Sequence, residues 1–300
     1  KIGKLESLNT SLLRSDISLD VKAILEDSRG QVWFGTANGL YRLLGNEKYR
    51  FERVDGKSGL SFSDAHIKSI LEDRKGNFWI GTFEGGLNYW DRKNETITVY
   101  KSEKNKPNTL SHNNIRSMCL DEEDNLWVGT FDGLNFLKEG DKTFTNYKKA
   151  HLGASGLSDN SIRSVFIDTR GSLWIGTYYG GVNHLDENYN GFTNFKHAPF
   201  ENALSGDVVS SFTEDNDGNL WIGTEGGGLN YYDVKNKQFK HYQYLEGLSN
   251  TLSGNSVKQL LLDGDKLWIG TFQAGLNLFD IKNNSFKHFK NDLQNPNSLS

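Results

Sequence analysis

Residues 66–101, HIKSILEDRKGNFWIGTFEGGLNYWDRKNETITVYK, decide the fold. HIKSILED is a short apolar run ending in the turn RKGN. Phe78 to Thr82 is a second run, Leu87 to Asp91 a third, and Thr96 to Lys101 alternates like a half-buried outer strand. None is long enough for a helix, and Gly, Asn and Asp punctuate the gaps, so the stretch predicts four short strands joined by tight turns.

The pattern recurs along the chain. Tryptophans stand at Trp33, Trp79, Trp127, Trp174, Trp221 and Trp268, at intervals of 46, 48, 47, 47 and 47 residues, each followed by an apolar residue, Gly and Thr; Trp90 lies outside the series. Six residues before the tryptophan stands Asp27, Asp73, Asp121, Asp168 or Asp215, with Asp263 one residue closer, and a GL or GV pair follows at Gly39, Gly86, Gly133, Gly181, Gly228 and Gly275. Four strands in a repeat of roughly 40 to 50 residues is the signature of a propeller blade, which buries its faces against its neighbours. The expected fold class is therefore all-β, a β-propeller of four-stranded blades with six complete repeats at about 20–54, 66–101, 114–149, 161–197, 207–242 and 256–290.

The repeated residues have predictable work. Asp at the head of a turn accepts backbone N–H groups, and Gly30, Gly76, Gly171 and Gly218 supply left-handed geometry. The Gly after each Trp lies mid-strand, where a missing side chain marks a close neighbour, expected to be the next blade's tryptophan.

Bulk composition excludes several classes. With 34 basic against 38 acidic residues in 300, the net charge of −4 argues for no nucleic-acid or anionic-membrane partner. Cys119 is the single cysteine, with no Cys/His spacing around it, so neither a zinc site nor any cofactor is expected. The polar start KIGKLESLNT lacks a signal-peptide core, and no apolar stretch approaches the ~20 residues that span a bilayer. Three prolines against 32 glycines favour strands and tight turns.

The recurring D-x-x-G-x-L/F-W-I-G-T-x-x-G-G-L-N-x-x-D, with lead-ins such as GLSDNSIRSV (Gly156 to Val165) and NTLSHNNIRSM (Asn108 to Met118), resembles the two-component-regulator propeller repeat over roughly residues 20–290. Asp124 departs from the usual Gly and Tyr41 from the usual Asn. The resemblance implies the amino-terminal propeller of the periplasmic sensor region of a Bacteroidetes hybrid two-component system. In that family two seven-bladed propellers and a small β-sandwich precede a membrane helix, a histidine kinase and a DNA-binding regulator, and the sensor binds oligosaccharides from complex glycans. It also implies a homodimer of the full-length sensor. NPNSLS at Asn295 to Ser300 repeats a lead-in, so residues 291–300 are expected to start a further blade, while residues 1–19 are expected to be a lead-in and possible ring-closing strand of a seven-bladed propeller; closure of six blades alone stays open.

No catalytic constellation stands out. Asp91, Asp186, Asp233 and Asp280 fall at equivalent turns, which explains them as caps. DNDGN at Asp215 to Asn219 resembles the start of a calcium loop, but Gly226 stands where the bidentate Glu belongs. The histidines are scattered, with His197, His241 and His288 expected at matching outer-strand positions that pack between blades. The turn also resembles the Asp box of sialidase propellers, with one extra residue before the aromatic and no arginine triad.

Two residue sets exceed what a scaffold needs. Near the start of each first strand stand Lys22, Lys68, Arg116, Arg163, Ser210 and Lys258, five of them basic, which predicts either a positive collar for acidic ligands or locally paired charges. The turn between second and third strands varies where the frame does not: Asn38, Phe83 and Glu84, Phe131 and Asp132, Tyr178 and Tyr179, Glu225, Phe272 and Gln273. Such a rim suits stacking on a glycan, and equally suits docking of a second propeller. The function expected is a non-enzymatic, periplasmic oligosaccharide-sensing domain, with a carbohydrate-active enzyme or lectin, or a protein-interaction platform, as alternatives.

Overall fold

The computed structural model describes residues 20–44, 50–55, 60–149, 156–186, 191–198, 202–292, 294–295 and 298–299. The expected ring-closing strand at 1–19 lies outside the described residues, as do 293, 296, 297 and 300 of the expected further blade. The fold is an all-β propeller of six four-stranded antiparallel blades, each with its strands paired in chain order. They cover 21–53, 67–100, 115–147, 162–195, 209–242 and 257–289, and are numbered one to six. Blade two comprises Ile67–Glu72, Phe78–Thr82, Leu87–Asp91 and Thr96–Tyr100.

The chain forms two compact units, one of described residues 20–149 with 160–162, the other of 156–159 with 163–299. In each, the apolar core sits between successive blades. Trp33, Leu40, Ile67, Phe78, Ile80 and Trp90 pack blade one on blade two, and Leu87, Ile115, Leu126 and Val128 pack blade two on blade three. In the other unit Trp174, Val209, Phe212 and Ile222 join blades four and five, and Trp221, Leu229, Val257 and Ile269 join five and six. Each such side chain contributes about 1.5–3 kcal/mol on burial, which is why no blade stands alone.

In blades one, two, four and five the glycine after the tryptophan is pressed as expected, but not by a tryptophan. A methyl group at Gly35 would lie 2.7 Å from Ile67 Cγ2, at Gly81 2.5 Å from Ile115 Cγ2, and at Gly176 and Gly223 2.7 Å from Cγ1 of Val209 and Val257. The neighbour is the β-branched residue that opens the next blade's first strand. The tryptophan is kept away by its own turn.

The turn aspartates of blades one to five cap with one oxygen. Asp27 Oδ1 accepts from the Arg29 and Gln31 N–H groups, and Asp73, Asp121, Asp168 and Asp215 repeat the pair two and four residues on. The second oxygen was not anticipated. In blades one and four it accepts the tryptophan Nε1–H, from Trp33 to Asp27 and from Trp174 to Asp168, at 3.0 Å in both. In blade two the Tyr89 hydroxyl takes that place on Asp73 at 2.9 Å. The cause is the cross-strand partner: Trp33 faces Arg42 and Trp174 faces His184, whereas Trp79 faces Tyr89, whose ring tilts the indole at 4.5 Å and brings its own hydroxyl to the carboxylate.

The Asn of GLN and GVN is a second unanticipated device. Asn88, Asn135, Asn183, Asn230 and Asn277 are fully buried, and their side-chain carbonyls accept the backbone N–H of Ser63, Ser111, Ser158, Ser205 and Ser253, anchoring the lead-in loops. The outer strands help. His241 pairs across from Asn230 and His288 from Asn277, and their Nε2 atoms bond the lead-in carbonyls of Ala203 and Thr251, each at 2.7 Å. His197 does not share that position, which in blade four belongs to Asn194; its Nδ1 bonds the Leu204 carbonyl instead. These histidines hold loops by hydrogen bonds and do not serve as packed rings between blades.

Candidate functional site

Every blade's first strand starts beside the turn that joins its second and third strands, because the two strands are antiparallel neighbours. The basic residue near the start of the first strand therefore meets the variable turn residue fourteen or fifteen positions later. Lys68 Nζ lies 5.8 Å from the Phe83 ring centroid, Arg116 Cζ 5.0 Å from Phe131, Arg163 Cζ 6.0 Å from Tyr178, and Lys258 Nζ 5.1 Å from Phe272. A cation under an aromatic face is held at about 0.5–2 kcal/mol, so the two sets read separately from sequence form one repeated element. The recurring spacing was the signal that reveals it.

In the first unit, the aromatic caps are themselves backed by histidine. His66 stacks on Phe83 at 5.0 Å and His112 lies 5.4 Å from Phe131. Burial, followed by the charge of Lys68, pushes the His66 pKa down, so its imidazole is neutral at neutral pH. Arg116 also donates to Ser161 Oγ at 3.3 Å. Lys22 stands apart: Ala37 occupies the turn position opposite, and Lys22 pairs with Asp20 at 2.6 Å. Asp132 pairs with Lys148, Glu84 is exposed, and its backbone N–H is fixed by Asp64 at 2.9 Å.

In the second unit, blade five inverts the element. Ser210 replaces the cation and Glu225 replaces the aromatic. Glu225 then takes the cations of both neighbouring blades, pairing with Arg163 and, at 2.5 Å, with Lys258. Burial pushes the Glu225 carboxyl up, but the Lys258 hydrogen bond and the Arg163 charge outweigh it and hold the pKa below the usual value. Ser210 Oγ donates to the Gly223 and Val257 carbonyls and is structural. Tyr178 and Tyr179 meet edge to face at 4.6 Å, with Tyr179 72% exposed, and Gln273 holds the turn with φ 57°. Lys22, Arg163 and Lys258 thus have carboxylate partners, and the exposed rings are Phe83, Phe131, Tyr179 and Phe272. Among the described residues no cluster of three or more His, Cys, Asp and Glu is placed to hold a metal ion.

A family profile described as the two component regulator propeller matches residues 15–38, 61–84, 109–132, 156–179 and 203–226, each match running from the lead-in to the variable turn. The chain carries two-component regulator propeller repeats. No curated protein sequence matches it. Among solved structures, this repeat chain is similar to the extracellular domain assigned to the hybrid two component system BT3049 of B. thetaiotaomicron, at 26% identity and a TM-score of 0.76 over 95% of the chain. The chain spans 36% of that structure's length. PorZ, a surface component of the type-IX secretion system of Porphyromonas gingivalis, aligns at 18% identity and TM-score 0.66 over 92% of this chain and 41% of its own. Virginiamycin B lyase from Staphylococcus aureus aligns at 14% and 0.66 over 93% of this chain and 87% of its own, and shares the fold alone.

Proposed function

We propose that this chain is a periplasmic ligand-sensing propeller of a hybrid histidine kinase, that it binds oligosaccharides without cleaving them, and that it works beside a second propeller in a homodimeric sensor. The observation that carries the reading is the repeated cation-and-aromatic element. Its backbone frame is constant, while the residue at the cap changes from Phe to Tyr to Glu between blades. A frame fixed by packing with a variable, exposed tip is how a repeat protein presents a recognition surface. Exposed rings supply faces for sugar C–H groups, and the cations beside them supply hydrogen-bond donors for hydroxyl or carboxylate oxygens. Signalling follows if the ligand has different affinity for two arrangements of the sensor.

The seventh blade belongs to the same proposal. Among the described residues a methyl group at Gly270 would meet only Gln259 of its own blade, at 3.7 Å, where blades one, two, four and five have a β-branched residue, and Leu261 beside it is 64% exposed.

The test is calorimetric titration of the intact sensor ectodomain, and of a Lys68→Ala, Arg116→Ala, Lys258→Ala variant, with neutral and acidic oligosaccharides. Saturable binding of an uncleaved acidic sugar that the variant loses is expected. Cleavage of any sugar overturns the non-enzymatic reading, and absence of binding across the panel overturns the glycan in favour of a protein partner.

A further inference from the structure

A cleft of about 210 Å³ opens between blades two and three, floored by Trp79, Tyr100 and Leu126 and edged by four carboxylates, Asp73, Asp124, Glu139 and Asp141, and three ammonium groups, Lys75, Lys138 and Lys142; Asp124 also lies 3.6 Å from Arg74. It is lined mainly by the first turn of blade two and the third turn of blade three, at the ends of the strands away from the variable turns.

The preceding blade junction shows what such a slot holds. There Arg92, from the third turn of blade two, lies 4.2 Å over the Phe78 ring and 5.3 Å from Trp33. Its guanidinium donates to Asp27 Oδ2 at 2.9 Å, to the Gly76 carbonyl at 3.2 Å and to Glu72 at 3.4 Å. Arg92 is 11% exposed, and it seals Trp33 to 3%. The position equivalent to Arg92 in blade three is Glu139: the Arg92 N–H bonds Asn77 Oδ1 at 3.1 Å and the Glu139 N–H bonds Asn125 Oδ1 at 2.9 Å. Glu139 turns outward to Lys75 at 2.5 Å, and Trp79 is left half-buried. The second slot therefore keeps the tryptophan and the turn aspartate of the first, has Leu126 in place of Phe78, gains Tyr100 and a mixed edge of carboxylates and lysines, and has an acidic residue where the first has its arginine.

We propose that the Trp79 cleft receives an arginine side chain presented by a peptide segment of a partner protein. A guanidinium lies flat on aromatic rings while its five N–H groups reach several carboxylates, a combination that neither an ammonium nor a sugar hydroxyl supplies. Burial and the hydrogen bond to Asp73 push the Tyr89 pKa up, so Tyr89 remains a neutral donor to the Asp73 carboxylate at the edge of the cleft.

The probe is N-acetyl-arginine amide, titrated into the full chain by calorimetry with N-acetyl-lysine amide alongside. Saturable binding of the arginine probe, tighter than the lysine probe by about fivefold or more, is expected from the flat stacking. Glu139→Arg places the chain's own guanidinium in the slot, as Arg92 does in the first, and is expected to weaken the probe ~tenfold or more while raising the melting temperature. Tyr100→Leu keeps the apolar volume, removes one aromatic face and is expected to weaken binding if Glu139→Arg does not fold. Equal affinity for the two probes, non-saturating titration, or binding unchanged in whichever variant folds overturns the proposal.

Discussion

Gly81 and Gly270 occupy the same place in two copies of WIGT; Gly81 has a neighbouring blade against it, and among the described residues Gly270 meets only its own blade. Around Gly81 the junction is closed: Ile115 presses on the glycine and is itself fully buried. Around Gly270 the nearest atoms belong to its own blade, Trp268 is half-buried, and Leu261 is exposed. At the other end of the series Ile24 of blade one is 67% exposed, while its equivalents Val165, Phe212 and Leu260 in blades four, five and six are buried. A repeated residue thus advertises a contact, and only its surroundings say whether the contact is made.

The contrast is most sharply tested at the turn aspartates. Asp27 is buried, caps two backbone N–H groups, and pairs with Trp33 and with the largely buried Arg92 of the next blade. Asp27→Ala takes the 2.9 Å carboxylate from that arginine, leaving it only the longer contact to Glu72 at 3.4 Å, and is expected to cost about 3 kcal/mol in urea unfolding. Asp263, at the equivalent turn of blade six, is exposed, and Asp263→Ala is expected to change stability by less than about 0.5 kcal/mol. Similar losses at the two positions would break the comparison.

A smaller effect is expected at the glycines. Gly81→Ala puts a methyl group 2.5 Å from Ile115 Cγ2 and is expected to cost about 1–3 kcal/mol through overpacking, whereas Gly270→Ala is expected to be near neutral in this chain. The proposed further blade, if seated on blade six in a longer chain, is expected to make Gly270→Ala costly there too, and a variant still neutral in that chain removes the proposed blade.

The smallest effect is electrostatic. Glu225 ties blade four to blade six through Arg163 and Lys258, and its folded pKa lies below the ordinary 4.5. A depressed carboxylate stabilises the fold above its unfolded pKa and loses that contribution as pH falls through the folded value. The stability difference between the wild type and Glu225→Gln is therefore expected to be full above pH ~4.5 and to shrink toward zero below it. A difference that stays constant through that range means that the ion pairs contribute nothing across blades.

Much of the frame was legible because it repeats. Period, turn aspartates and strand alternation each depend on neighbours within about ten residues, and a repeat shows the same dependence many times. The close approach at the WIGT glycine was legible as well, but its partner was misassigned: the tryptophan is turned aside by Asp27 or by Tyr89, and the smaller Ile or Val reaches across. The buried Asn88, Asn135, Asn183, Asn230 and Asn277 stood in the motif unread, because GLN looks like any polar turn until the loop that it anchors is seen. For the candidate site, the cations and the rim residues were each named from sequence, while their union was not, since a separation of fifteen residues becomes contact only through the hairpin.

The sequence by itself determined the blade, its strands and its turns, since these follow from local periodicity and from residue types with few conformational choices. Only the tertiary structure decided which cation meets an aromatic and which meets Glu225, which tryptophan is sealed by Arg92 and which opens a cleft, and which WIGT glycine has a neighbour. Those outcomes depend on side chains from different blades competing for one small volume, and the residues that differ between equivalent positions, such as Arg92 and Glu139, change without altering the period.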